Sequence, residues 1–563
     1  MDFYLTKKVK LVGVLEYKDL FPEQKELDIE KILVLYNRKQ LIRAASLLGF
    51  YYRDSKFPDV NRTHRFFSNP YSDYVEDIKK RWFAYCSLHG FSINHSIHFV
   101  LSRTALELLR IIISIEPQKF KNIVNPDKTE YDLFRVIIAI NQKIMECKFN
   151  PDDDYNTMIY LNQYATNALN DLNDDTVVSG QIACSLKIFE ALSSIDRFQT
   201  LYNSFLKKWN IKHWRQYTNS ILGVYMMLSK ERKSLKPGVN LINFDILPQW
   251  EKVINSNVLD LLSITYNDVC DENTDYKLFR SHPLIKFNNA YLPINLMLIA
   301  ECIYSGVYFS LKDLCENPDL GISKFDKLYK EDLFEHFVFQ RTLWECIKRF
   351  DVAYPTKEMV MSDDNINEEQ NQPDFYIRKG NKTAIFECKA IKLNAVLRDN
   401  ADAKQLMETL RKKLYNKYYG SNKSKWVGVP QIMRFIDYAT NHKYNWDQPN
   451  KSVTYYPILV LEDANIFKAS FNSIMHHWQN EFLNINKIDS KIKPIIIISM
   501  DTLILYSKAF VEKGFFYYFD KFLSKYYVKM PNNEKAFKIE ADFNDFMRQE
   551  SKHSFDFSKF IKE

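Results

Sequence analysis

The sequence predicts a multidomain α+β protein: a large, mostly α-helical N-terminal half followed by a mixed α/β core in the C-terminal half. Three observations predict it. At 563 residues the chain exceeds what one ordinary hydrophobic core serves. Through most of the first part, up to about residue 320, apolar residues recur at three- and four-residue spacing, the period of amphipathic helices. From Val352 onward, short alternating or continuous apolar runs intervene, as strands require.

Composition narrows the function classes. Hydrophobic residues at 46% and charged residues at 26% are those of a soluble globular chain. There are only 12 glycines and no Gly-x-x-x-x-Gly-Lys-Ser/Thr run, so the chain carries no phosphate loop and any ATP dependence would come from a partner. The N-terminus has an early lysine pair but no apolar signal core. Apolar runs such as Pro494 to Ile498 are far shorter than the roughly 20 residues of a membrane span. The expectation is a cytoplasmic protein that does not enter a membrane. Eight cysteines lie scattered without a Cys-x-x-Cys pair, which predicts reduced, mostly buried thiols. His95 and His98 form a His-x-x-His without a third ligand nearby, and predict core or surface histidines.

Taken in order, the periodicity predicts helices over Ser96 to Glu116, Tyr131 to Cys147, Gln181 to Trp209 and Val258 to Tyr266, with polar breaks at Asn150 to Asp152 and Asp171 to Thr176. Residues 1–278 hold no carboxylate, histidine or cysteine cluster at ligand spacing and are expected to serve recognition or assembly, through a protein partner or a homo-oligomer. Residues 279–324 form a hinge or packing segment: Pro283 and Pro293 bracket a short hairpin leading into a helix over Ile294 to Leu311, and His282 beside Arg280 is expected to be structural. A third region, 325–563, opens with a helix over Tyr329 to Phe350. Leu333, Phe334, Phe337, Trp344 and Ile347 mark its apolar stripe, and Glu331 and Glu335, four apart, share another face. A strand over Val352 to Met361 and an acidic, Asn-rich loop over Ser362 to Asn371 follow.

Next comes the segment that carries chemistry. Gln372 to Ile377 and Lys382 to Lys389 flank Gly380-Asn381, a two-residue hairpin signal. A turn there pairs residues whose numbers sum to 761 and sets Asp374 opposite Glu387. Strand alternation puts Glu387 and Lys389 on the face of Ile385 and Ile391, with Phe386, Cys388 and Ala390 on the other. Two carboxylates roughly 5 Å apart across a ladder destabilise it unless a cation sits between them. Mg²⁺ suits that place, because it takes oxygen ligands from one or two carboxylates and completes its octahedron with waters and phosphate oxygens. Lys389 can hold or deprotonate an attacking water and offset charge developing on phosphorus oxygens.

Beyond the hairpin the pattern predicts a basic helix over Leu397 to Tyr419, a helix over Gln431 to Thr440, a strand over Tyr455 to Leu461, a helix over Phe471 to Leu483, a buried strand over Lys493 to Ser499 and aromatic-rich helices from Asp501 to Glu563. Lys389 to Lys425 has ten basic and three acidic residues, an excess of +7 that equals the net charge of the whole chain. Lys404, Arg411, Lys412, Lys413 and Lys417 fall within it. A cationic stretch directly after paired carboxylates is what draws a polyanion to a metal site.

Pro373-Asp374 followed by Glu387-Cys388-Lys389 resembles the signature of the PD-(D/E)xK nuclease superfamily, and the flanking pattern fits from Phe325 to Glu563. The resemblance implies a restriction-endonuclease-like core of helix, antiparallel strands, helix and strand. It implies Asp374 and Glu387 as ligands of Mg²⁺, with Mn²⁺ as substitute, the carbonyl of Cys388 as a further ligand, an acidic residue of the first helix, here Glu335, as an assistant, and Lys389 as the catalytic lysine. The expected function is a metal-dependent endonuclease acting on DNA, in restriction or anti-phage defence by analogy. Alternatives from the same residues are an RNA nuclease and a catalytically silent binding scaffold.

Overall fold

The computed structural model describes residues 14–51, 56–57, 66–92, 97–145, 157, 160, 174–234, 242–243, 254–269, 276–317, 320, 324–347, 350, 352–355, 373–393, 403–419, 423–441, 447, 452–462, 464–467, 470–488, 491–530 and 535–551. The acidic segment Ser362 to Asn371, His95, and residues 397–402 of the expected basic helix lie outside them.

The protein is mixed α+β, and three hydrophobic cores organise it. One joins helices between Leu15 and Ile144 to residues Ile264 to Leu298. Its main helices span Arg38–Tyr51, Asp73–Leu88, Ser102–Ser114 and Pro126–Met145. Buried Asn141 ties this core together: its amide donates to the carbonyls of Leu15 at 2.8 Å and Phe99 at 3.0 Å. A four-stranded sheet of Ile242–Asn243, Ala290–Pro293, Leu284–Phe287 and Ser263–Thr265, in that spatial order, straddles the expected limit at residue 278. The helix predicted over Val258 to Tyr266 therefore ends at Leu261, and β-branched Ile264 and Thr265 join this sheet instead.

The second core runs from Val178 to Met547 without a break at residue 325. Helix α1, Asp174–Ser194, and helix α2, Ser305–Cys315, contribute to it together with one face of the C-terminal sheet. The limit expected near residue 325 is thus not a limit between cores. The helix predicted over Ile294 to Leu311 is interrupted between Glu301 and Ser305, and the break turns Tyr304 inward.

Where one α-helix is predicted over Tyr329 to Phe350, the chain forms a π-helix over Leu328–Gln340 and a short α-helix over Arg341–Cys346. The burial pattern shows the rephasing. Tyr329, then Leu333 and Phe334, then Val338 and Phe339 are buried, a step between four and five residues, whereas Phe337 is only half-buried. That is the period of i→i+5 hydrogen bonding, and such segments are frequent at functional sites. Trp344, expected in the apolar stripe, is 44% exposed and meets Phe375 edge-on at 5.3 Å.

The C-terminal sheet has five strands: β1 Val352–Pro355, β2 Phe375–Lys379, β3 Lys382–Lys389, β4 Thr454–Leu461 and β5 Ile496–Ser499, in the order β5-β4-β3-β2-β1. β1, β2 and β3 are antiparallel neighbours, while β4 runs parallel to both β3 and β5. The β2–β3 register is Phe375↔Phe386 through Lys379↔Lys382, so the paired numbers sum to 761 as expected. Gly380 adopts φ +58° with open space around it, so the turn backbone and not crowding calls for glycine.

Alternation divides the sheet between two cores. Phe375, Ile377, Phe386 and Cys388 face the second core, and Tyr376, Ile385 and Ile391 face a third built with helices α3 Ala403–Leu414, α4 Val429–Asn441 and α5 Phe471–Asn486. α3 stops at Leu414, short of the predicted Tyr419, because Asn416–Tyr419 pairs with Lys423–Trp426 as a hairpin. Helix α6, Phe543–Glu550, closes the C-terminal side against β5. Among the described residues no helix is long and apolar enough to cross a membrane. Six described cysteines, among them Cys184, Cys302 and Cys388, are buried free thiols.

Candidate functional site

Asp374 is the residue that leads into β2, directly opposite Glu387 by the register of the ladder it precedes. It is 7% exposed and Glu387 is wholly buried. Asp374 is held by the backbone of the partner strand: its Oδ2 accepts from the Cys388 N–H at 2.5 Å. Glu387 makes an ion pair with Lys389, the next residue on its own face of β3. The hairpin thus brings Asp374, Glu387 and Lys389 to one corner of the sheet, as its alternation requires.

The π-helix supplies the fourth member. Glu335 shares a side-chain hydrogen bond with Asp374, and burial, reinforced by the Asp374 charge, pushes its pKa up to about 10. That shift favours its neutral carboxyl form beside the charged Asp374. Glu331 parts company with it: exposed, it pairs with Lys327 at 3.7 Å. The π-helical phase thus turns Glu335 alone toward the sheet.

Burial by itself would lower the Lys389 pKa, but the charges of Glu387 and Asp374 overcome it and raise it above the ordinary lysine value. Lys389 is thus a cation across the physiological range. Its Nζ also lies 3.5 Å from Oε1 of Gln431, on the first turn of α4. Cys388 contributes only backbone here; its thiol points into the second core, where burial pushes its pKa well up.

Three carboxyl groups, one proton and one ammonium leave this corner with a formal charge near −1. Among the described residues no three His, Cys, Asp or Glu side chains stand close enough to grip one ion directly. Lys389 instead satisfies Glu387, a buried carboxylate that would otherwise need a cation. The donor set itself, all carboxylate oxygen with Asp374 and Glu387 buried, fits a hard divalent ion such as Mg²⁺.

The basic residues divide. Lys404 and Lys412 are exposed on α3. Arg411 is not free for a ligand: it pairs with Glu481 and lies over Tyr415 at 4.5 Å and Trp478 at 5.6 Å. Lys413 is half-buried, and Lys417 lies on a strand rather than a helix, in register with Lys425.

Sequence reasoning missed Gln431 and Glu462. Gln431 is the polar residue that opens an otherwise apolar helical face (Ile432, Met433, Phe435, Ile436), and nothing local marks it. Glu462 had a signal, a carboxylate directly after the all-apolar end of β4. No protein-family model matches the chain, and neither a curated protein nor a solved structure does.

Proposed function

We propose that the chain is a metal-dependent phosphodiester hydrolase acting on DNA, in which Asp374 and Glu387 would hold Mg²⁺ or Mn²⁺, Glu335 would assist them, and Lys389 would lie beside the reacting phosphate. The observation that carries this reading is the convergence of three carboxyl groups and one half-buried lysine, from the π-helix and the hairpin, at one corner of a sheet. Support also comes from the element order: a helix, three antiparallel strands, helices, and a strand parallel to the third, which is what a restriction-endonuclease-like core would require.

When bound, such an ion lowers the pKa of a coordinated water and polarises a phosphate oxygen. The chain's own residues do the rest. Asp374 is fixed by the Cys388 N–H. Glu335, held neutral by burial and by the Asp374 charge, would lose its proton and join the ligands were such an ion held there. Lys389, whose pKa the neighbouring carboxylates raise, would stabilise charge developing on phosphate oxygens. The cationic stretch from Lys389 to Lys425 supports a polyanionic substrate. Restriction or defence against phage is the setting this suggests by analogy.

One observation favours the second reading, a silent binding scaffold: the proton of Glu335 and the ammonium of Lys389 satisfy the corner without an ion. The deciding experiment incubates the full chain with plasmid DNA and with a structured RNA, each with Mg²⁺, with Mn²⁺ and with chelator. Metal-dependent cleavage of DNA that vanishes in Asp374→Asn is the expected result. Cleavage confined to RNA would redirect the substrate, and none on either would favour the scaffold.

A further inference from the structure

On the other face of the same sheet edge lies a buried polar junction that the candidate site does not include. Glu462 follows the last residue of β4, and its side chain is 1% exposed. One oxygen, Oε1, accepts from three donors: Tyr304 Oη at 2.8 Å, Tyr329 Oη at 3.0 Å and Lys392 Nζ at 2.9 Å. Tyr304 and Tyr329 are themselves buried and 3.1 Å apart. Burial, then the Glu462 charge, raises both phenol pKa values well above normal, so both remain donors.

What matters is where the donors come from. Tyr304 belongs to the break before α2, in the helical part of the chain. Tyr329 lies on the π-helix, six residues before Glu335. Lys392 lies three residues after Lys389, on the opposite face of the extended segment that leaves β3, where Ile391 and Leu393 anchor in the third core. The Glu462 backbone N–H also donates to the Lys389 carbonyl at 3.3 Å. A single carboxylate therefore fixes both elements that carry the candidate site relative to each other, and fixes both to the helical half.

We propose that Glu462 is a positioning residue for the candidate site, and that through Tyr304 it transmits the placement of the helical half to Glu335 and Lys389. This rests on the hydrolase reading for its functional consequence, but not for its structural one. A π-helix has no fixed axial position of its own against a sheet. Its Tyr329 hydroxyl on Glu462 sets where Glu335 meets Asp374. Buried hydrogen-bonded networks of this kind hold one arrangement, because leaving a member unsatisfied is costly.

The test compares the full-length wild type with Tyr304→Phe and Glu462→Gln, both near-isosteric. Without metal, hydrogen–deuterium exchange of the segments 329–340 and 385–392 is expected to speed up at least ten-fold in both variants, while 126–145 in the first core stays unchanged. With Mg²⁺ and DNA, kcat is expected to fall at least ten-fold with KM within about two-fold of wild type. Unaltered exchange in both segments, or a loss that falls on KM alone, would overturn the proposal. If the wild type cleaves nothing, the hydrolase reading fails and the exchange measurement still decides this one; if Glu462→Gln does not fold, Tyr304→Phe carries the test.

Discussion

Glu335 lies beside Asp374 across the gap between the π-helix and the residue that leads into β2, and burial together with the Asp374 charge raises its pKa. A protonated glutamic acid against an aspartate is a metal-free arrangement, and it makes the corner sensitive to both pH and cations.

The sign of the pH effect follows directly. The folded pKa of Glu335, about 10, lies above the ordinary 4.5, so the folded state binds the proton more tightly than the unfolded chain. Its contribution is complete below pH 4.5 and is lost as pH rises toward 10. Glu335→Gln, which mimics the protonated form, should therefore unfold at a higher temperature than wild type at pH 9 in chelator. At pH 4 the two should coincide. A thermal unfolding series in chelator across that range checks both ends.

Glu387 and Lys389 should not be equivalent to remove. Lys389→Met leaves a wholly buried carboxylate without its ammonium, and an unpaired buried charge is costly. A loss of up to about 3 kcal/mol is expected in chelator, since Lys389 is 23% exposed and water can partly replace it. Added Mn²⁺ should restore much of it, because the ion takes over the same charge. Glu387→Gln should instead abolish the response to Mn²⁺. Denaturant unfolding with and without Mn²⁺ separates the two.

On helix α3 the cations should split by role. Lys404→Ala and Lys412→Ala should leave stability within about 0.5 kcal/mol, as surface changes do. Together they should lower the slope of log affinity for duplex DNA against log salt by about 0.9 for each phosphate they no longer neutralise. Arg411→Ala should cost about 1–2 kcal/mol of stability by removing its stacking on Tyr415 and Trp478 and its ion pair with Glu481. Salt-dependent binding together with thermal unfolding distinguishes a DNA-binding residue from a packing one.

A fragment beginning near Gly321 should not fold as a stable unit. The second core is continuous from Val178 to Met547, so truncation strips α1 from the π-helix and from the helix over Met500–Leu505 and exposes apolar residues of that core. Aggregation, or loss of the cooperative unfolding expected of the full chain, is the predicted outcome. A soluble monomeric fragment with full cooperativity would show that the core divides after all.

The legible parts of this fold were those written in local periods. Gly380-Asn381 between two alternating runs set the hairpin register, and with it the juxtaposition of Asp374 and Glu387, because a two-residue turn fixes the pairing and a one-residue slip would exchange the faces. Glu335 was reachable from its helix, but the π-helical phase was not: an apolar stretch such as Phe337-Val338-Phe339 fits an i→i+4 stripe as well as an i→i+5 one. The end of α3 was misread because the residues after Leu414 keep a helical mix of Tyr and Lys, and only pairing with Lys423–Trp426 makes Asn416–Tyr419 a strand. The limit expected near residue 325 failed for a similar reason. No composition shift reveals that α1, from before it, packs on the π-helix and on the helix over Met500–Leu505 after it. Gln431 and the Tyr304–Glu462–Tyr329 junction depend on interactions between residues far apart in sequence, which no window of the chain contains.

The most direct measurement of the central claim is Mn²⁺ binding to the full chain at neutral pH by electron paramagnetic resonance, with wild type, Asp374→Asn, Glu387→Gln and Lys389→Met in parallel. The expected result is an ion bound by wild type and by Lys389→Met, more tightly in the latter because the competing ammonium is gone, with binding lost in both carboxylate variants. Equal binding in Asp374→Asn, Glu387→Gln and wild type, or no binding in any of them, would contradict the assignment of this corner as a metal site.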